Sequence, residues 1–126
     1  MQTFLFNFGT AALLTHELDA MLRQEWRLLF VLRDLSDDMA SWWSIYLHLP
    51  VFLAVLYLGN AANPVWRQRF RLLVCLFLPL HAGLHFSLSD HPAYDFHHLL
   101  SALLIYGAGV AGAGYLALRA IESPRR

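Results

Sequence analysis

Four stretches of apolar residues, near 3–22, 40–59, 69–89 and 97–119, approach the roughly 20-residue length at which a helix crosses the hydrocarbon of a bilayer. Little else is left in a chain of 126 residues, so the sequence reads as one domain, 1–126, built almost entirely from these helices. Composition agrees: 58% of residues are hydrophobic and only 14% charged, well to the apolar side of a soluble domain. Short connections between sequential helices imply antiparallel neighbours. The expected fold is therefore all-α, an integral membrane up-down four-helix bundle.

The connections carry the punctuation such a bundle needs. Ser36, Asp37 and Asp38 supply N-cap chemistry for the second helix, with Trp42, Trp43 and Tyr46 behind them as interfacial aromatics. Gly59, Asn60, Asn63 and Pro64 stop that helix and start the third; Pro92 marks the third connection. Residues 23–35 alternate charged and bulky apolar side chains, and either continue the first helix or lie along the membrane interface. In the fourth helix, GAGVAGAG (Gly107 to Gly114) sets small residues three and four apart, for packing within the chain or for a homodimer face.

Several function classes are excluded or disfavoured. The formal net charge is zero and all nine basic residues are arginine, so no basic stripe is available for nucleic acid. Cys75 is the single cysteine, which rules out an internal disulfide; it reads as a small buried apolar residue. The N-terminal MQTFLFNFG has no basic region and no cleavage site, and reads as retained helix. Arg67, Arg69, Arg71, Arg119, Arg125 and Arg126 fall on one side of the bundle, against Arg23, Arg27 and Arg33 on the other. The arginine-rich side, which holds both termini, is expected to be cytoplasmic in a bacterial inner membrane.

Antiparallel threading gathers the polar residues at the opposite end. His16, Glu17 and Asp19 end the first helix, His48 begins the second, and His81 and His85 close the third. His91 and Asp95 follow in the loop, and His97 and His98 open the fourth helix. His81 and His85 are four apart, so both imidazoles can reach one ion. One of His97 and His98, about 100° apart on a helix, would face the bundle with them. Pro50 and Pro79 each free a carbonyl, of Tyr46 and Cys75, close to a histidine. Glu25 is expected on a solvated or headgroup-level face, and His48, taken alone, in a core hydrogen bond.

HELDA (His16 to Ala20) with EWR (Glu25 to Arg27), HxxxH at His81 and His85, HP (His91, Pro92) with Phe96, and Ser101 together resemble a family of small bacterial integral-membrane proteins of unknown function. The resemblance covers most of the chain and implies four membrane helices, but no reaction. HxxxH followed by a histidine pair also resembles, more distantly, the boxes of membrane di-iron desaturases and hydroxylases, although five residues separate His91 from the pair. The mix of His, Asp and Ser is similar to the ceramidase and progestin-receptor type of membrane zinc hydrolases, which have seven helices.

These residues lead to three functional expectations. In the first, a divalent metal, zinc most simply and iron as the alternative, is held by His81, His85 and one of His97 and His98, with His16 as a further candidate ligand. Glu17 would act as general base and Asp19 or His16 would orient a ligand, for hydrolysis or transfer on a lipid-like substrate. His48, His91, Asp95, Glu25 and Ser101 are secondary candidates. In the second, the protein is a non-enzymatic membrane accessory or assembly subunit with a buried polar network. In the third, two histidines ligate haem in an electron-transfer subunit.

Overall fold

The computed structural model describes residues 1–122; Arg125 and Arg126, counted above on the cytoplasmic side, lie outside that range. It is all-helical, with four long helices and no strand among the described residues: α1 (Gln2–Leu22), α2 (Asp37–Gly59), α3 (Pro64–Ser87) and α4 (Leu99–Glu122). A single 310 turn, Glu25–Arg27, lies between α1 and α2.

The helix starts follow local chemistry. Ser36 caps α2 by accepting from the amide of Met39. Asn63 caps α3 by accepting from the amides of Val65 and Trp66, and Pro64 takes the first helical position, where a missing N–H costs nothing. Pro50 and Pro79 are both accommodated inside their helices. His97 and His98 lie just ahead of α4, which begins at Leu99, and so do not open that helix.

Neighbouring helices run antiparallel. Gln2 at the start of α1 meets Glu122 at the end of α4, while Arg23, just past α1, meets Asp95 ahead of α4. Arg71 near the start of α3 donates to the carbonyl of Gly59 at the end of α2. α4 packs against both α1 and α3, and the small residues make that approach close: Ala108 and Ala111 lie against Gly9, and Gly109 and Gly112 lie against α3. A methyl group at Gly112 would come within 2.7 Å of the Cys75 carbonyl that Pro79 leaves without its helical donor. Gly107 faces open space. The core formed here contains Phe6, Leu13, Val74, Leu78 and Tyr115.

Three helices, α2, α3 and α4, are long and apolar enough to cross a membrane. At 23 to 24 residues each, they reach about 35 Å against a hydrocarbon thickness of about 30 Å. Four such helices were expected; α1, at 21 residues, is slightly shorter and carries His16, Glu17 and Asp19 in its last two turns.

Residues 23–35 do not prolong α1. Gln24 is left-handed (φ 54°, ψ 45°), the one non-glycine residue with positive φ among those described, and it turns the chain sharply away from the helix axis. The segment beyond is tied to the base of α2: Trp26 and Leu32 are buried with Ala40, and Arg27 donates to both carboxylate oxygens of Asp37, at 3.1 and 2.6 Å. That pair, with the Trp26 indole donating as well, holds the Asp37 carboxyl below its usual range.

Candidate metal centre

The turn at Gln24 delivers Glu25 into the bundle rather than onto a solvated face. Its side chain is only 16% exposed, and it meets two histidines from different helices: Oε1 lies 3.2 Å from Nε2 of His85 on α3, and Oε2 lies 3.8 Å from Nε2 of His16 on α1. Burial pushes the Glu25 carboxyl up, but the His85 hydrogen bond and the imidazoles of His16, His85 and His81 outweigh it and hold it below the usual carboxylate range. A solvated or headgroup-level face was expected for Glu25; the left-handed Gln24 turns it inward instead.

His81 completes the group. One ligand atom from each of His16, Glu25, His81 and His85 lies within 4.8 Å of every other. The three imidazole centroids are 4.7 to 5.1 Å apart, in edge-on or tilted arrangements that leave their nitrogens free to converge. Helical spacing explains the α3 pair, since residues four apart share a face. Aromatic rings enclose the group: Phe96 packs on His16 and His85, Tyr94 on His85, and Phe77 on His81. Burial pushes the Tyr94 phenol up to about 12, which keeps it protonated.

At this end of the bundle several polar atoms are buried without a hydrogen-bond partner: both ring nitrogens of His16, Nδ1 of His85, Oδ2 of Asp19 and Oγ of Ser101. The register that sets Gly9 against Ala108 and Ala111 brings Ser101 to the level of His16. Orphaned polar groups of this kind cost about 1–3 kcal/mol each. A tetrahedral ion with bonds of about 2.0–2.1 Å holds its donors about 3.4 Å apart. The 3.2 Å from Glu25 Oε1 to His85 and the 3.8 Å from Glu25 Oε2 to His16 lie either side of that value, and the set of one ligand atom per residue spans no more than 4.8 Å. Three imidazoles and one carboxylate thus fit a divalent cation in donor type and number, and side-chain shifts of about 1 Å would close them to ligand spacing.

The other candidate residues lie elsewhere. Glu17 faces α2, where Oε2 is 2.7 Å from Nε2 of His48, whose Nδ1 donates to the Ser44 carbonyl at 2.6 Å. Asp19 accepts from Arg23, which also reaches Asp95. His91, His97 and His98 are exposed. His91 Nδ1 accepts from the amide of Ala93, and the His97 ring packs on Tyr94. The structure therefore joins His16, His81 and His85 with Glu25, and leaves His97 and His98 outside that group.

No match is found among curated proteins or among solved structures. A described family does match, over residues 2–122, and with nearly the whole chain covered, the protein belongs to the family of unknown function DUF6713.

Proposed function

We propose that this is a small integral membrane protein that holds one divalent metal ion, zinc in the simplest case, between His16, Glu25, His81 and His85. The observation that carries the reading is a group of four donors, two buried and two half-buried, whose ligand atoms converge within 4.8 Å, with neither ring nitrogen of His16 hydrogen-bonded. α2, α3 and α4 would span the bilayer with α1 packed against them, in a bacterial inner membrane. Arg67, Arg69, Arg71 and Arg119 favour a cytoplasmic location for the end opposite the metal.

Four protein donors make a closed site, the kind that ties elements together; catalytic zinc normally keeps one position for water. The ion's first role is accordingly to bind α1, the 310 turn and α3 to one another. Glu25 is the only donor outside the long helices, so hydrolysis or transfer on a lipid-like substrate would require Glu25 to leave first. Haem fits poorly, because imidazoles with centroids within 5.1 Å leave no slot for a macrocycle. A metal-free polar network is disfavoured by magnitude: interhelical hydrogen bonds in membranes contribute about 0.6 kcal/mol on average, little to set against gathering three imidazoles and a carboxylate in one place.

Two measurements on the full-length protein test the reading. Membranes washed with alkaline carbonate should retain it, as an integral protein. Elemental analysis after purification in mild detergent should return about one equivalent of zinc or another divalent metal, lost in His81→Ala and His85→Ala. Well-folded protein that binds no added zinc would refute the metal reading, and release by carbonate would refute the membrane reading.

A further inference from the structure

The Glu17–His48 pair is a half-buried polar bridge outside the metal-ligand group, and it sits in unusual surroundings. It bridges α1 and α2 between two cavities, of about 240 and 270 Å³, that share Glu17, His48 and Phe52 in their walls. Leu13, Val51 and Phe77 line one cavity, beside the hydroxyl-bearing Ser44, and Met21, Ile45 and Leu49 line the other. They are separate openings on either side of the pair, each just below the size range of small-molecule sites, along an α1–α2 cleft that is apolar except at its middle.

The hydrogen bonds fix the charge of that middle. A carbonyl can only accept, so His48 Nδ1, 2.6 Å from the Ser44 oxygen, carries hydrogen. Two lone pairs would repel across the 2.7 Å between His48 Nε2 and Glu17 Oε2, so one proton lies between them. Whichever atom holds it, the pair is neutral overall. Glu17 Oε1 accepts no hydrogen bond among the described residues and remains as an acceptor in the cleft.

We propose that this cleft binds one uncharged, single-chain lipid alcohol, with its hydroxyl donating to Glu17 and its chain lying between α1 and α2. A fatty carboxylate would bring an unbalanced charge into an apolar slot beside Glu17. A pure hydrocarbon would leave the Glu17 acceptor unused. A helix of a second copy, about 10 Å across, is too wide for cavities of this size. The site does not use the metal ligands, although it rests on the reading that α1 and α2 lie in lipid.

The test uses full-length protein in lipid nanodiscs, with dodecanol as the probe and dodecane as its control, read by native mass spectrometry. One dodecanol should be retained, about tenfold more tightly than dodecane, the margin of one net hydrogen bond. Val51→Trp, which fills one cavity from an exposed position without disturbing the core, and Glu17→Leu should each abolish that preference. Equal retention of dodecane, unchanged binding in Val51→Trp, or occupancy by phospholipid or a second copy alone would overturn the proposal. Metal content is measured on the same samples. Zinc retained without dodecanol binding leaves the metal reading standing, and failure to incorporate into nanodiscs counts against the membrane reading instead.

Discussion

Glu25 decides more at the candidate centre than any histidine, because it joins the imidazoles of α1 and α3 from outside both helices. Glu25→Gln keeps the shape but removes the anionic donor; zinc affinity, measured by competition with a chromogenic chelator, should fall by at least about tenfold, as removing a ligand or its close support generally does. Unchanged affinity would remove Glu25 from the coordination. Gln24 has a separate, testable role. Gln24→Gly should preserve zinc binding, since glycine adopts positive φ without cost, whereas Gln24→Ile, β-branched and strained there, should weaken it. Sequence made the histidines visible: HxxxH is a spacing that periodicity interprets, and His16 falls on the same buried end. Glu25 was visible only as a secondary candidate, expected on a solvated face, because a left-handed glutamine gives no signal of the kind that glycine or asparagine gives.

The elements were largely legible for the opposite reason, that their causes are local. Ser36, Asn63 with Pro64, and runs of some twenty apolar residues set starts and lengths with no knowledge of packing. What the GAGVAGAG stretch does was not legible, since small residues permit close approach without naming the neighbour. The structure turns Gly109 and Gly112 onto α3 and leaves Gly107 open. Gly112→Ala would set a methyl 2.7 to 2.9 Å from Cys75 O, Leu78 Cβ and Pro79 Cδ, and overpacking of this kind costs about 1–3 kcal/mol. Gly107→Ala meets nothing within 4 Å and should be neutral or stabilise by up to about 1 kcal/mol, from helix propensity alone. Detergent-titrated unfolding of the two variants compares them directly, and equal losses would contradict the α3–α4 packing. At the base of α2, the folded Asp37 carboxyl lies below its ordinary value of 3.8 because of Arg27 and Trp26. Its stabilising contribution is present above about pH 4 and is lost as pH falls through the depressed folded value. Asp37→Asn should remove that part of the acid sensitivity, read as the pH dependence of unfolding below about pH 5.

At the scale of the molecule, the donors come from α1, the 310 turn and α3, whereas α2 reaches α1 through the Glu17–His48 bridge and a few apolar contacts. A bound ion would therefore stabilise one side of the bundle and the 23–35 segment, and leave the cleft beneath α2 largely untouched. Ligand linkage sets the size of the effect: free zinc at a hundred times its dissociation constant adds about 2.7 kcal/mol to stability. Chelation should accordingly lower the thermal midpoint of the detergent-solubilised protein, and zinc, rather than magnesium, should restore it. Magnesium prefers octahedral oxygen donors and competes poorly for three imidazoles. Hydrogen exchange can locate the change: amides around Gln24 to Leu28 should lose protection on chelation, because Glu25 then keeps only its contacts to His85 and His16, while those in the middle of α2 should change little. Uniform loss of protection through all four helices would mean that the ion acts on global folding, and loss confined to α2 would put the bound metal somewhere other than the three histidines and Glu25.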